Sequence, residues 1–216
     1  MADYSKLRKQ MVQHQIAARG LQSENVLNAM RNVPRELFLP KGQRRLAYDD
    51  GPLPIGRGQT ISQPFIVAYM TEALGLKGGE KVLEIGTGSG YAAAVLAEIV
   101  ANVYTIERID GLAIMARKIL AELDYQNVHV RQGDGTLGWP EQAPFDGIVV
   151  TAGGPDVPDT LKLQLRTGGH LVIPVGTSTW YQELVRVTRV SADEFETEDL
   201  VPVRFVPLIG AEGWDS

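Results

Sequence analysis

The order of apolar and polar positions predicts strands that alternate with helices along the middle of the chain. Short apolar, β-branched runs predict strands at residues 81–85, 103–107, 128–132, 145–151 and 170–175. Longer segments with apolar residues on one helical face predict helices at residues 64–76, 91–100, 111–123 and 159–166. This alternation indicates an α/β fold with a doubly wound, mostly parallel sheet and helices on both of its faces.

The two ends of the chain follow other patterns. Residues 4–18 and 23–32 predict N-terminal helices, and residues 183–190 and 194–208 alternate at a period of two, which predicts a C-terminal antiparallel hairpin. Residues 49–64 are too rich in glycine and proline for a regular element, so an ordered functional loop is expected there. We therefore expect one domain over residues 1–216, with a helical extension (1–48), this loop (49–64), an α/β core that binds a cofactor (65–180) and C-terminal strands (181–210).

Composition narrows the class of protein. The net charge of −5 gives no electrostatic reason to expect a nucleic-acid partner. The sequence has no cysteine, which excludes disulfides, thiolate metal sites and a cysteine nucleophile, and its three scattered histidines predict no metal site. No apolar run approaches membrane-spanning length, and the N-terminus lacks the apolar core of a signal peptide. We expect a cytoplasmic protein without a membrane partner that works as a monomer.

The junction between the first central strand and its helix contains three alternating glycines, in the sequence Leu-Glu-Ile-Gly-Thr-Gly-Ser-Gly-Tyr at residues 83–91. A strand, a glycine turn and a helix in that order place backbone amides and a helix N-terminus beside one cleft. The turn predicts a site for a nucleotide-type cofactor. The alternative is a tight turn with no ligand.

Two cofactors compete for this site. A G-x-G-x-x-A pattern from residue 88, with Glu107 about twenty residues later, fits a dinucleotide. Counted from Gly86, however, the spacing is G-x-G-x-G, and Glu84 inside the strand would repel a pyrophosphate. The sulfonium and ammonium groups of S-adenosyl-L-methionine would instead attract that carboxylate. The charges therefore favour S-adenosyl-L-methionine, with S-adenosyl-L-homocysteine as the product.

Acidic residues follow three predicted strands, at the edge of the sheet where ligands of open parallel sheets bind. Glu84 would face the methionine end of the cofactor, Glu107 the ribose hydroxyls, and Asp134 the adenine. Any one of these acids could instead cap the helix that follows it. No general base is evident near them. An acceptor such as a carboxylate, which is already ionised at neutral pH, needs none.

Several motifs resemble those of the protein-L-isoaspartate (D-aspartate) O-methyltransferase family. They are Pro-Leu-Pro-Ile-Gly-Arg-Gly-Gln-Thr-Ile-Ser-Gln-Pro at 52–64, Val-Pro-Arg at 33–35, the glycine turn, Gly-Asp-Gly at 133–135, Pro-Val-Gly at 174–176 and Val-Arg-Phe-Val-Pro-Leu at 203–208. The resemblance runs from about Tyr4 to Leu208. It implies methyl transfer from S-adenosyl-L-methionine to the α-carboxylate of L-isoaspartyl residues in damaged proteins and peptides, whose ester then collapses to a succinimide.

The resemblance also implies individual site residues. Ser62 matches the active-site serine, which would aim the carboxylate as a hydrogen-bond donor; its alternative is to cap the helix that begins near Pro64. Ile209-Gly210 departs from the polar pair often found there. The implied cofactor-binding residues are Thr60, Ile61, Ser62, Gln63, Glu84, Gly86, Thr87, Gly88, Gly90, Glu107, Arg108, Asp134 and Gly135. The implied substrate-binding residues are Ile55, Gln59, Thr60, Ser62, Arg204, Phe205, Val206 and Pro207.

Two other functions stay open from the residues alone. The first is a methyltransferase that acts on RNA or a small molecule, and the second is a non-catalytic nucleotide-binding or NAD-binding module. An ordered loop over the cofactor is harder to explain for a module that only binds.

Overall fold

The computed structural model describes residues 3–178 and 180–215. The α-helices are α1 (Tyr4–Met11), α2 (Glu24–Asn32), α3 (Pro64–Ala73), α4 (Tyr91–Ala97), α5 (Asp110–Glu122) and α6 (Asp159–Leu163). The strands are β1 (Leu53–Gly56), β2 (Gln59–Ile61), β3 (Lys81–Ile85), β4 (Asn102–Glu107), β5 (Val128–Gln132), β6 (Phe145–Val150), β7 (Leu165–Ser178), β8 (Tyr181–Arg189) and β9 (Phe195–Val203). No helix in the described part of the chain is long and apolar enough to cross a membrane.

Seven strands form one sheet in the order β5-β4-β3-β6-β7-β8-β9. The strands from β5 to β7 are parallel, whereas β7, β8 and β9 pair antiparallel, so the predicted fold class and C-terminal hairpin are confirmed. The chain runs outward from β3 to β5 and then returns to place β6 on the other side of β3. The crevice outside the carboxyl ends of β3 and β6 is therefore the topological switch point, where such sheets bind ligands.

The central strands are buried on both faces, as expected of parallel strands covered by helices. Leu83 and Ile148 pack with Leu161 of α6 on one face. Val82 and Val149 pack with residues of α3 and α4 on the other. Glu84 follows Val82 by two positions and so shares its face, as the one carboxylate within β3.

The N-terminal extension covers the outer side of α3 and α4. Residues 4–19 form one helical segment that changes from α1 to a π-helix (Val12–Ile16) and a 3₁₀ turn (Ala17–Arg19), so the predicted helix over 4–18 is present with altered winding. Its buried residues, including Met11 and Ile16, share a core cluster with Tyr91 of α4 and Leu112 of α5. The extension thereby supports the helix that follows the glycine turn.

The loop at residues 49–64 contains a regular element, so the prediction of an irregular segment was wrong there. Strands β1 and β2 pair antiparallel, and the turn between them has positive φ at Arg57 (56°) and Gly58 (71°). Positive φ at both central residues is the type I′ geometry that suits tight hairpins. Of the glycines that argued against a strand, Gly56 ends β1 and Gly58 lies in the turn of the hairpin.

Two predicted boundaries near the C-terminus were also wrong. The helix expected to reach residue 166 ends at Leu163, because Leu165 already pairs with Phe145 as the start of β7. The final strand was expected to reach residue 208, but β9 ends at Val203. Beyond it the chain crosses the carboxyl end of β6, where Gly153 N donates to Val206 O (2.8 Å) and Leu208 N donates to Gly153 O (2.8 Å).

Candidate active site

The glycine turn lies against the residue that follows β6. Gly86 has a φ of 99°, and a Cβ at this position would overlap Oγ1 of Thr151. Thr151 Oγ1 in turn donates to the carbonyl oxygen of Gly86 (2.8 Å). Both the conformation and the close approach therefore require glycine here. The turn and the end of β6 form adjoining walls of one cleft at the switch point.

The cleft collects most of the predicted cofactor site. Among the predicted residues, its lining includes Gln59, Thr60, Ile61, Ser62, Gly86, Thr87, Gly88, Glu107, Arg108, Gly135, Val206 and Pro207. Its other lining residues are mostly apolar and were not predicted: Val67, Met70, Thr71, Ile85, Ser89, Tyr91, Ala92, Leu96, Ile106, Ile109, Val149, Thr151, Ala152, Leu208 and Ile209. Apolar walls with a few convergent polar groups are typical of small-molecule sites.

Glu107 lies at the carboxyl end of β4 with both oxygens oriented by backbone amides. Gly88 N donates to Oε2 and Ile109 N donates to Oε1, each at 2.8 Å. The residue is 6% exposed and lines the cleft. Since a carboxylate has about four lone-pair sites, it keeps capacity for two further donors such as ribose hydroxyls.

Glu84, which was predicted to face the methionine end of the cofactor, is not among the residues that line the cleft. Its side chain is fully buried within the sheet, where Thr105 Oγ1 of the neighbouring strand donates to Oε2 (2.5 Å). Burial raises the pKa of Glu84 to about 8, although the Thr105 hydrogen bond opposes this and the negative charge of Glu107 adds to it. A neutral buried acid cannot attract a sulfonium or an ammonium in the way that the sequence argument assumed.

Asp134, which was predicted to approach the adenine, is not among the residues that line the cleft either, and its carboxylate is engaged within the protein. Oδ1 accepts from Thr136 N (2.9 Å) and Thr136 Oγ1 (2.7 Å), and Oδ2 accepts from Ala211 N (2.8 Å). Burial would raise the pKa of Asp134, but the hydrogen bonds from Ala211 and Thr136 outweigh it and lower the pKa. Asp134 thus anchors the C-terminal segment, while its neighbour Gly135 lines the cleft.

The C-terminal segment, residues 208–214, closes one side of the cleft. Leu208 and Ile209 line it, and Trp214 Nε1 donates to Gly153 O (2.9 Å). Gly210 lies so close to Asp134 that a Cβ would overlap the carboxylate. Ile209 therefore supplies an apolar wall, and Gly210 permits the close approach to Asp134.

The β1–β2 hairpin covers the glycine turn from above. Ile55 is buried with its Cδ1 3.4 Å from the position that a Cβ on Gly88 would take, and the guanidinium of Arg57 lies beside Gly111 at the start of α5. Ser62 follows β2, and its hydroxyl makes no hydrogen bond within the described ranges. The residue that precedes α3 is Gln63, whose side chain does not cap the helix. The alternative role of Ser62 as a helix cap is therefore not supported.

A buried arginine holds the backbone of Ser62 in place. Arg35 Nη2 donates to Ser62 O (2.7 Å), Nε donates to Ala47 O (2.8 Å), and the guanidinium lies 4.8 Å from the ring centroid of Tyr91. Burial lowers the pKa of Arg35, although Tyr91 opposes the shift. Its sequence motif was recognised only as part of the resemblance, because nothing in the local pattern indicates that Arg35 reaches residue 62.

A second groove adjoins the cleft on the side of the hairpin. It is lined by Pro52, Thr60, Ser62, Gln63, Ile66, Thr151, Trp180, Tyr181, Pro202, Val203, Arg204, Phe205 and Val206. Thr60, Ser62, Thr151 and Val206 line both spaces. Gln63 faces this groove rather than the cleft, and its Nε2 donates to Asp50 Oδ1 (2.7 Å).

Exposed aromatic side chains form one end of the groove. Trp180 is 71% exposed and Tyr181 is 64% exposed, and the Arg204 guanidinium carbon lies 4.4 Å from the Trp180 ring centroid. Phe205 N donates to Gln182 Oε1 (2.8 Å), which fixes the chain next to Arg204. Trp180 and Tyr181 were not predicted. Their position depends on the β7–β8 turn, which no local motif marks.

The predicted glycines after Gly86 have separate roles. Gly88 N is the donor to Glu107 that orients the carboxylate. Gly90 precedes α4 and packs against Leu120 of α5, where a Cβ would lie 3.3 Å from Leu120 Cδ1. Gly90 therefore allows the start of α4 to pack closely against α5, and it is not among the residues that line the cleft.

The residues present fit an adenosyl cofactor. Glu107 offers lone pairs suited to ribose hydroxyls, and Ile106, Ile109 and Leu208 offer apolar walls suited to a heterocyclic base. The Gly88 amide is already engaged by Glu107, which leaves less capacity for a pyrophosphate than a dinucleotide turn provides. The doubly wound sheet and this cleft define the class of protein, an S-adenosyl-L-methionine-dependent methyltransferase.

Comparisons with known proteins narrow this class. The chain belongs to the protein-L-isoaspartate(D-aspartate) O-methyltransferase (PCMT) family, whose sequence profile matches residues 6–213. The predicted family and cofactor class are thereby confirmed, and the NAD-binding alternative is not favoured.

Relatives cover nearly all of the chain. It is 60% identical over 207 residues to protein-L-isoaspartate O-methyltransferase 1 of Geotalea uraniireducens, a match that covers 96% of this chain and 94% of the relative. It is 62% identical over 213 residues to protein-L-isoaspartate O-methyltransferase 1 of Rhodopseudomonas palustris (strain HaA2), with 99% and 87% covered. A solved protein-L-isoaspartate O-methyltransferase is similar with a TM-score of 0.84 and 29% identity, over 97% of this chain and 67% of that one.

Proposed function

We propose that this protein transfers a methyl group from S-adenosyl-L-methionine to the α-carboxylate of L-isoaspartyl residues in damaged proteins and peptides. The observation that carries the proposal is the wall shared by the two spaces. Thr60, Ser62, Thr151 and Val206 line both the cofactor cleft and the open groove. A polypeptide in the groove can therefore present a side group to the cleft without entering it.

Different residues of the cleft contact the ribose, the base and the methionine end of the cofactor. Glu107 accepts hydrogen bonds from the ribose hydroxyls, and Gly135, Leu208 and Ile209 enclose the base. Thr87 and the turn at Gly86–Gly88 face the methionine end. S-adenosyl-L-methionine, when bound, supplies an electrophilic methyl group on a positively charged sulfur. Thr60, Ile61 and Arg108 complete the walls of the cleft.

Ser62 orients the substrate carboxylate by donating a hydrogen bond from its hydroxyl. Arg35 supports this role because it fixes the carbonyl group of the same residue. No histidine lines either space in the described part of the chain, and a carboxylate acceptor needs no general base because it is ionised at neutral pH. Correct orientation of two reactants can lower a barrier by about 7–11 kcal/mol. The hairpin adds to this by excluding water from the reacting groups.

The substrate chain lies along residues 204–207 beside the hairpin. Arg204 places a positive charge at the rim of the groove, which favours an anionic residue. Gln59 and Thr60 of β2 contact the substrate from the opposite side. Ile55 of β1 packs against the glycine turn and so holds the hairpin in place. We further propose that the enzyme acts as a monomer in the cytoplasm, which sedimentation and cell fractionation would test.

The decisive experiment compares two synthetic peptides that differ only at one residue, L-isoaspartyl in one and L-aspartyl in the other. We expect base-labile methyl incorporation and S-adenosyl-L-homocysteine formation with the isoaspartyl peptide alone. Equal methylation of both peptides, or methylation of RNA or small-molecule acceptors with neither peptide modified, would contradict the proposal.

A further inference from the structure

Glu84 is a buried acid that the proposed function does not use. It is 0% exposed and lies in the middle of the sheet, between Thr105 of β4 and Val149 of β6 in the strand register. Its Oε1 has no hydrogen-bond partner among the described residues. A carboxylate buried in such a position costs stability unless it is paired and hydrogen-bonded, so burial favours the neutral acid.

Two hydroxyl groups connect Glu84 to the cofactor cleft. Glu84 Oε2 lies 2.5 Å from Thr105 Oγ1, and Thr105 Oγ1 lies 2.6 Å from Thr87 Oγ1. Thr87 is part of the glycine turn and lines the cleft. All three side chains are buried, so a change at one end is not relieved by solvent.

The hydrogens in this chain can point in one of two directions, because each hydroxyl group has a single hydrogen to donate. If Glu84 is ionised, Thr105 donates to Glu84 and Thr87 donates to Thr105, which leaves Thr87 with lone pairs toward the cleft. If Glu84 is protonated on Oε2, it donates to Thr105, and Thr105 donates to Thr87. The hydrogen of Thr87 is then free to point into the cleft.

Burial selects the protonated form at neutral pH, since it raises the pKa of Glu84 to about 8, against the opposing hydrogen bond from Thr105. The charged group that acts on Glu84 is Glu107, at the end of the adjacent strand, and its negative charge raises the pKa further. The proton belongs on Oε2, because a proton on Oε1 would be a buried donor without an acceptor. Buried acceptors without partners are tolerated better than buried donors.

We propose that Glu84 is a positioning residue for the cofactor: as a neutral acid it donates to Thr105, and through Thr105 it turns the Thr87 hydroxyl into a donor for the carboxylate of the methionine end. Ionisation of Glu84 reverses both hydrogen bonds and presents the lone pairs of Thr87 to that carboxylate. The inference concerns the cofactor and not the methyl acceptor. It can therefore fail while isoaspartyl methylation is observed, and the reverse also holds.

The first test measures the affinity for S-adenosyl-L-homocysteine by calorimetry between about pH 6.5 and 9 for the wild type, Glu84→Gln and Thr87→Val. We expect the wild-type affinity to fall about tenfold more than that of Glu84→Gln across this range, the size of one hydrogen bond to a charged group. The side-chain amide introduced by Glu84→Gln donates to Thr105 at every pH. Titration of the ligand's own ammonium is common to all three proteins and cancels. Thr87→Val should bind weakly with no additional pH dependence, and Thr87→Ser should restore the binding.

The second test needs no ligand and observes the carboxylic acid directly. Infrared difference spectra of the free protein should show the carbonyl stretch of a protonated carboxylic acid at neutral pH, and this band should disappear as the pH rises through about 8. Glu84→Gln should lack the band. Absence of the band from the wild type at pH 7, or parallel pH profiles of affinity in wild type and Glu84→Gln, would overturn the proposal.

Discussion

The cofactor cleft and the substrate groove share a wall but are built in different ways. The cleft is formed around a glycine turn and the ends of adjacent strands, so its polar groups are backbone amides and buried side chains held by the sheet. The groove is formed by segments far apart in sequence, the hairpin, the β7–β8 turn and residues 202–206, and its large side chains are exposed. A change in the cleft should therefore affect both folding and cofactor binding, whereas a change in the groove should affect the substrate alone.

The largest effect should come from Gly86→Ala in the cleft. A left-handed conformation costs a residue with a Cβ about 1–2 kcal/mol, and the overlap with Thr151 adds about 1–3 kcal/mol. We expect urea unfolding to show a loss of about 2–5 kcal/mol, together with at least a tenfold loss of affinity for S-adenosyl-L-homocysteine.

Gly20→Ala is the matched control. Gly20 has the same φ of 99°, but nothing lies within 4 Å of the position of its Cβ. This variant should lose only the conformational part, about 1–2 kcal/mol, and should keep its cofactor affinity. Equal effects of the two substitutions would mean that contact with Thr151 does not shape the cleft.

The second effect concerns Glu84 and the pH dependence of stability. The pKa of Glu84 rises from 4.5 to about 8 on folding, so the contribution of this group is fully present below about pH 4.5. Between these values the unfolded chain releases the proton that the folded protein keeps. The free energy of unfolding should therefore fall by about 1.4 kcal/mol per pH unit from this group and level off above pH 8.

Glu84→Gln removes the titrating group. The difference in free energy of unfolding between wild type and this variant, measured by urea unfolding, should therefore change with pH at that slope. Glu122→Gln is the control, since Glu122 lies on the surface of α5. The free energy of unfolding of Glu122→Gln should differ from that of the wild type by an amount that varies by no more than about 0.5 kcal/mol across this pH range. A pH-independent difference for Glu84→Gln would mean that Glu84 is ionised in the folded protein.

Glu84 also shows how far the sequence could predict the cofactor site. The charge argument reached S-adenosyl-L-methionine by assuming that Glu84 faces the ligand, whereas the side chain points into the sheet. The alternation of side chains along a strand could have predicted this orientation, because Glu84 shares one face of β3 with the buried Val82. The predicted cofactor was confirmed, whereas the buried position of Glu84 gives no support to the charge argument that led to it.

The α/β order was predictable because each strand and helix is specified by its own local pattern. Glu107 and the glycine turn were predictable for the same reason, as they belong to adjacent strand ends. The hydrogen bond between Asp134 and Ala211 was not predictable, because the two residues lie far apart in sequence and no periodicity indicates their contact. Trp180 and Arg35 were missed as site residues on similar grounds, since their positions arise from long-range packing.

The third effect, at the shared wall, should come from Ser62→Ala. Loss of a hydrogen bond to a charged group corresponds to a fall in kcat of about 10- to 100-fold. Affinity for S-adenosyl-L-homocysteine should stay unchanged, because the hydroxyl is assigned to the substrate. Ser23→Ala is the control, since Ser23 precedes α2 and its side chain makes no capping hydrogen bond. A parallel loss of kcat and cofactor affinity in Ser62→Ala would instead place Ser62 in the cofactor site.

The smallest effect should come from Trp180→Ala at the exposed end of the groove. The ring supports the Arg204 guanidinium at 4.4 Å and offers an apolar surface to the substrate chain. Contacts of this kind at exposed sites contribute about 0.5–1.5 kcal/mol, so KM for an isoaspartyl peptide should rise about 3- to 10-fold.

The same variant tests the contrast between the two regions most directly. Because Trp180 lines the groove and not the cleft, kcat, the free energy of unfolding and the affinity for S-adenosyl-L-homocysteine should all stay at wild-type values. Met115→Ala is the control, since Met115 is an exposed apolar residue (59%) on α5, outside both spaces. If Trp180→Ala weakened cofactor binding as much as it raised KM for the peptide, the two regions would be coupled through their shared wall and could not be treated as separate sites.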